Sequence, residues 1–189
     1  MSVVIQPENI KNNTNLIFLI GHSCSGKTTL SKKLSQKFNY YLIQIDELIK
    51  DLSESHSEGT KIFKLYKPNK YVIEKEILIK KINNLIKIHK HVIIEGTIWD
   101  PYMIQKISNN MTYQLICVQP YDKTIYFERI MKRVKCGNSS IIQKNLHQEE
   151  IENEDILHKY IKNIVDTRFN EFNEIYELFQ DFNLYVVKN

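Results

Sequence analysis

Apolar runs of strand length recur at Leu16–Ile20, Tyr41–Ile45, Val92–Ile94, Tyr113–Val118 and Leu184–Val187. Within each run nearly every position is apolar, with little alternation. Strands read this way when helices cover both faces of a parallel sheet. Between the runs, apolar residues fall at helical spacing over Lys27–Phe38, Tyr71–His89, Pro101–Ser108 and Tyr121–Lys135. The alternation of β and α predicts a doubly wound α/β fold, in which ligands sit at the carboxyl ends of the strands. A longer pattern runs from Ile156 through Phe179, with Ile161, Val165, Phe169, Phe172, Tyr176 and Phe179 at mixed three- and four-residue spacing. Such a stripe packs on the sheet or, alternatively, seams two copies together, so both a monomer and a homodimer are consistent with it.

Two segments depart from this pattern. Residues 53–70 are polar, with Gly59 and Pro68 among Phe63, Leu65 and Tyr66. Residues 135–155 are polar and charged, and Gly137-Asn138-Ser139 marks a turn. Long insertions of this kind in a compact domain serve as substrate cover or lid. The expectation is one domain over residues 1–189, with an acceptor-side insertion at about 53–70 and a lid at about 129–155.

Composition narrows the class. The chain has 189 residues and a net charge of +4, with scattered lysines, no alanine, and arginine only at 129, 133 and 168. That balance does not make the basic stripe of a dedicated nucleic-acid binder. Cys24, Cys117 and Cys136 are odd in number and lack C-x-x-C spacing, which supports neither a disulfide framework nor a zinc site. No run reaches membrane-spanning length and residues 1–15 lack a signal pattern, so a cytoplasmic protein with no membrane partner is expected.

The richest chemistry lies between the first strand and the first helix. Gly21-His22-Ser23-Cys24-Ser25-Gly26-Lys27-Thr28 reads G-x-x-x-x-G-K-T, and Thr29 continues it into the helix. Strand, glycine-bounded loop and helix are the context this motif requires. Its backbone N–H groups wrap a polyphosphate, and the helix N-terminus adds positive potential. Lys27 reaches the β- and γ-phosphates, and the Thr28 hydroxyl can ligate Mg²⁺. Cys24 is either a tolerated small loop residue or a functional thiol.

Further candidates follow other strands. Asp46 follows the second strand directly, where it can accept a proton from an attacking hydroxyl or hold Mg²⁺, and it also suits an N-cap of a helix over Glu47–Leu52. Glu95 ends Val92-Ile93-Ile94-Glu95-Gly96, where an acid can orient a metal's water shell or bind an acceptor hydroxyl. Trp99, the only tryptophan, either stacks on a ring of the acceptor or fills the core. Asp100-Pro101 reads as an N-cap with proline at the first helical position. Arg129 and Arg133 share a helix face and can stabilise charge on a transferring phosphoryl group, or complement a helix C-terminus. Arg168 reads as half of an ion pair or, alternatively, as a contact to the nucleotide edge, His89-Lys90-His91 as a solvated turn, and His147 with Glu150 as a solvated face.

These residues together resemble the uridine kinases and nicotinamide riboside kinases. The loop is similar to theirs, Asp46 stands at their acidic position after strand two, Val92–Gly96 resembles their "v-i-v-E-G" strand, and Arg129 and Arg133 resemble their lid arginines. The resemblance implies a three-layer P-loop fold with a five-stranded parallel sheet in the order 2-3-1-4-5, helices on both faces and a lid. It implies Asp46 as base, Lys27 and the lid arginines as charge stabilisers, and Thr28 as magnesium ligand. ATP and Mg²⁺ are then the expected cofactors, and a small molecule, most plausibly a nucleoside or nucleotide, the expected acceptor. Asp46, Glu95 and Trp99 are the expected acceptor-side residues, with Thr28, Asp46 and Glu95 around the metal. The lid lacks the run of several arginines common in these kinases, and lysine substitutes only as a point charge. Two other readings of the same motif are a polynucleotide 5′-hydroxyl kinase and a nucleotide-hydrolysing switch.

Overall fold

The computed structural model describes residues 3–4, 10, 14–55, 72–96, 100–137 and 145–189. Among them six strands form one parallel sheet: β1 (Val3–Val4), β2 (Leu16–Ile20), β3 (Tyr41–Gln44), β4 (Val92–Glu95), β5 (Tyr113–Gln119) and β6 (Leu184–Lys188). Their order is β1-β6-β5-β2-β4-β3. Counted from Leu16, this is the expected 2-3-1-4-5 arrangement. The added edge strand Val3–Val4 pairs with Tyr185 and Val186, and its two residues are too short a run to register as a sequence pattern.

The helices are α1 (Lys27–Phe38), α2 (Ile45–Ser55), α3 (Val72–Ile88), α4 (Pro101–Ser108), α5 (Lys123–Lys135), α6 (Gln148–Glu152) and α7 (Glu154–Leu178). The central strands β2, β4 and β5 are buried on both faces, whereas the edge strand β3 leaves Tyr41 exposed. Leu16, Phe18 and Ile20 of β2 join a core with Ile82 of α3, Ile104 of α4, Phe172 of α7 and Phe179, which caps that helix. Ile17 and Leu19 point the other way, against Leu30 and Leu34 of α1. A third cluster joins Tyr126, Ile130 and Val134 of α5 to Leu157, Ile161 and Val165 of α7.

The stripe along α7 is therefore divided. Its first half packs on α5 and its second half on the sheet. Ile161, Val165, Phe172 and Phe179 are all buried within the chain.

Several local expectations are corrected. β3 passes into α2 with no intervening loop, so Asp46 lies in the first turn of the helix and is not its N-cap. Asp122 caps α5 by accepting from the Ile125 N–H, which starts that helix at Lys123. Asp100 does cap α4, with Pro101 at its first position. His89 and His91 are stacked on Tyr41 and Tyr40, at ring separations of 3.6 and 5.1 Å, so this segment is not simply solvated. Glu150 accepts from the His147 N–H at 2.7 Å, so the pair closes the start of α6, and no group of three metal-ligating side chains occurs among the described residues. The acceptor-side insertion beyond residue 55 and the lid segment 138–144 lie outside the described residues. No helix among those described is long and apolar enough to cross a membrane.

Phe18 is fully buried at the centre of the sheet and meets the Tyr113 ring edge-on at 5.8 Å. Phe18→Ala removes that ring from a site walled by strands on both sides. The expected loss is about 3–5 kcal/mol of unfolding free energy, measured by urea denaturation.

Candidate active site

The parallel sheet places the carboxyl ends of β2, β3, β4 and β5 along one edge, and the loop after β2 lies there. Two glycines shape this loop. Gly21 has φ +136°, and a Cβ on it would come 2.5 Å from the Val118 carbonyl oxygen on the neighbouring strand. Gly26 has φ +102°, and a Cβ there would meet the Asn189 Nδ2 at 1.9 Å. Both backbone conformations disfavour a side chain, and at Gly21 the neighbouring backbone also leaves no room for one.

Gly26 is also the N-cap of α1 and has no side chain to accept from the first-turn N–H groups. No acidic residue occupies that turn. The Ser25 hydroxyl is buried with no hydrogen-bond partner among the described residues. An uncapped helix N-terminus beside a buried ammonium and an orphaned hydroxyl suits an anion. The loop thus fits a polyphosphate.

Lys27 is 7% exposed and donates through Nζ to the His22 carbonyl at 2.8 Å. Burial pushes its pKa down, while Glu95 and Asp46 push it back up. Asp46 is exposed, and its charge reaches Lys27 through space.

The Thr28 hydroxyl donates to Glu95 Oε1 at 3.0 Å, and Gln44 Nε2 donates to Oε2 at 3.2 Å. β4 lies between β2 and β3, with Glu95 in register with Leu19 on one side and Gln44 on the other. A hydroxyl and a carboxylate this close offer the hard oxygen donors that Mg²⁺ takes when phosphate and water complete its shell. Thr28 and Glu95 would hold the metal directly or through water.

The two arginines of α5 both turn to the loop. Arg129 Nη1 donates to the Ser25 carbonyl at 3.1 Å, and Arg133 Nη1 donates to Ser23 Oγ at 2.9 Å. Arg133 Nη1 also lies 3.8 Å from Cys24 Sγ. Cys24 itself holds a left-handed φ of +66° and is partly buried against the α5–α7 cluster. Thr29 stands exposed in the first turn of α1. Trp99 lies outside the described residues.

Sequence reasoning missed other residues here. Gln44 was hidden because a strand-end glutamine carries no signal. Tyr126 donates to the Ser23 carbonyl at 2.8 Å. It lies one turn before Arg129 on the same face, and that spacing was the available clue. Arg168 donates to the Tyr126 hydroxyl at 3.3 Å and makes no ion pair within 4 Å among the described residues, which corrects the expected pairing. Asn189, whose amide lies against Gly26, had no sequence signal at all.

His22 is the titratable group most altered. Burial, with Arg168 and Lys27 nearby, lowers its pKa from 6.5 to about 3. The unfolded chain therefore binds a proton between those values that folded His22 does not, so stability falls as pH drops through that window. His22→Phe keeps a ring on Phe172 and removes the titration. The unfolding free energies at pH 7 and pH 4.5 should then differ by about 1–3 kcal/mol less than in the wild type, as measured by urea denaturation at both pH values.

Comparison with known proteins agrees with this architecture. The shikimate kinase of Clostridium botulinum strain Loch Maree is 41% identical over 80 residues, which is 42% of this chain and 44% of that protein. The chain thus matches less than half the length of its curated relatives. The solved shikimate kinase of Bacteroides thetaiotaomicron superposes with a TM-score of 0.57 at 20% identity, over 92% of this chain and 85% of that one. A gluconokinase from Sinorhizobium meliloti 1021 gives 0.53 at 12% identity, over 93% and 82%. At those identities the likeness is one of fold. The AAA domain family model matches residues 16–150, a span that holds the phosphate loop, Asp46, Glu95 and both α5 arginines, and the chain belongs to that family.

Proposed function

We propose that this protein is an ATP- and Mg²⁺-dependent phosphotransferase that moves the γ-phosphoryl group to a hydroxyl of a small-molecule acceptor. The observation that carries this reading is the convergence on one loop of Lys27, the Thr28–Glu95 pair and two guanidinium groups from α5. Phosphoryl transfer needs positioning and charge compensation more than covalent chemistry, and this set supplies both.

Each residue has a task. The loop N–H groups and the α1 N-terminus bind the phosphate tail. Lys27 and the α5 arginines offset charge that spreads over the transferring group. Thr28 and Glu95 would hold Mg²⁺, which would supply further charge neutralisation. Asp46, at the carboxyl end of β3 and open to solvent, takes the proton of the attacking hydroxyl. Glu95 stays fixed by its two hydrogen-bond donors, so its carboxylate keeps one orientation.

The acceptor is read as a nucleoside or nucleotide, as in the uridine kinases. The sequence has no arginine before Arg129, so α2, α3 and α4 carry no guanidinium fork for a carboxylate. That favours an acceptor held by hydrogen bonds and, through Trp99, by stacking. The names of the similar proteins, shikimate kinase and gluconokinase, make those two compounds the natural competitors in a test.

A panel of nucleosides, nucleotides, shikimate, gluconate and 5′-hydroxyl oligonucleotides, assayed for ATP-dependent phosphorylation, tests the reading. A small alcohol should accelerate ATP consumption, and Lys27→Ala should lower turnover by about a hundredfold or more while circular dichroism remains that of the wild type. Wild-type turnover in Lys27→Ala overturns the assignment. Phosphorylation of the oligonucleotide alone, or slow hydrolysis that no acceptor accelerates, replaces it with the polynucleotide or switch reading. Asp46→Asn should depress kcat and leave ATP affinity intact. A loss confined to ATP affinity makes Asp46 a metal ligand instead.

A further inference from the structure

Two successive carbonyls of the phosphate loop are held in different ways. That of His22 is held within the loop, accepting from the Ser25 N–H at 3.2 Å and from Lys27 Nζ at 2.8 Å. That of Ser23 is met from outside, by the Tyr126 hydroxyl of α5 at 2.8 Å. The Tyr126 ring is fully buried in the cluster between α5 and α7, tilted against Phe169 at 5.9 Å. Close packing of the ring fixes where its hydroxyl sits.

The hydroxyl has both of its roles filled. Arg168 Nη1 donates to it at 3.3 Å, and a guanidinium cannot accept in return. The phenol therefore accepts from Arg168 and gives its one proton to the Ser23 carbonyl. Burial raises the Tyr126 pKa to about 12 against the opposing pull of Arg168, so the phenol keeps that proton at physiological pH. A charged donor on the phenol oxygen polarises its O–H and strengthens the bond to the carbonyl.

The peptide held in this way lies inside the motif. A trans peptide is planar, and its N–H points away from its C=O. Turning the Ser23 carbonyl toward α5 thus turns the Cys24 N–H away from α5. Cys24 has φ +66°, a left-handed conformation that a residue other than glycine keeps where its surroundings impose it. The Tyr126 bond fixes the peptide plane on the N-terminal side of that rotation.

We infer that Tyr126 is a positioning residue of the phosphate loop, orienting the Ser23–Cys24 peptide so that its N–H is available to a bound phosphate. The inference rests on the phosphotransferase reading. It goes further in giving a role in nucleotide binding to a side chain outside the motif. The competing account makes the hydroxyl a purely structural link between α5 and the loop. A bond that stabilises the fold alone is the same with and without nucleotide. Its loss lowers melting and leaves the Kd of the folded protein unchanged.

The test is calorimetric titration with Mg·ADP, alongside thermal melting. Tyr126→Phe keeps the ring and removes the hydroxyl. Its Kd should rise about three- to tenfold, with melting lowered by about 2–4 °C. Tyr126→para-aminophenylalanine, whose amino group still donates to the carbonyl, should bind within about twofold of the wild type. Where Tyr126→Phe does not fold, Tyr126→para-methylphenylalanine takes its place, filling the hydroxyl's volume without donating. Unchanged Kd in the folded variant that lacks a donor overturns the inference, as does an equal loss in the amino variant. Lys27→Ala, titrated alongside, separates the two claims. If the wild type binds Mg·ADP and Lys27→Ala does not, unchanged affinity without the Tyr126 hydroxyl counts against this inference alone. If the wild type fails to bind, the phosphotransferase reading falls as well.

Discussion

A primary ammonium with 7% of its residue surface exposed sits at the start of α1, and the arrangement around it answers the cost of that burial. Desolvation of Lys27 alone favours its neutral form, and the negative potential of Glu95 and Asp46 opposes this. The His22 carbonyl supplies the direct hydrogen bond. A site that tolerates a buried cation without a contacting carboxylate is set to receive an anion, since the missing negative charge is the one a phosphate brings. The α5 guanidinium groups repeat the theme. Both point at loop oxygens that carry only partial charge.

Parallel strand order makes the constellation possible. Thr28 and Glu95 are 67 residues apart in sequence, and Gln44 and Glu95 are 51 apart. They meet because β4 inserts between β2 and β3, and because parallel strands all end at the same edge. An antiparallel β3 would carry Gln44 and Asp46 to the far edge. The hydrophobic pattern and the chemistry are thus linked. Strands buried on both faces are what a parallel sheet needs, and a parallel sheet is what gathers these side chains.

That linkage explains what was legible in the sequence. The strands at 16–20, 92–94 and 113–118 were readable because their apolar side chains pack into core clusters on both faces of the sheet. The loop was readable because its glycines, lysine and threonine follow from local geometry. Arg129 and Arg133 were readable from spacing alone. Asp46 was placed at the right strand end but given a capping role that fails, because Ile45 already begins the helix and is buried beneath it. The contacts of Tyr126, Arg168, Glu171 and Asn189 were not readable. Each depends on how far α5, α7 or β6 is carried back to the loop, which no periodicity encodes. The two-residue strand β1 was lost for the opposite reason, being shorter than any pattern.

The divided stripe of α7 ties these observations together. Leu157, Ile161 and Val165 pack on α5, while Phe172, Ile175 and Phe179 pack on the sheet. One continuous helix therefore joins the element that carries the loop-directed arginines to the main core. Residues 168–172 lie at the changeover between the two clusters, and it is there that Arg168, Glu171 and Phe172 face the phosphate loop. The junction is itself packed, since Phe172 is fully buried in the sheet-side core and Phe169 lies against the α5 cluster, the two rings meeting edge-on at 6.1 Å. The arginines of α5 are thus tied to the sheet through one helix whose two halves share a continuous aromatic contact.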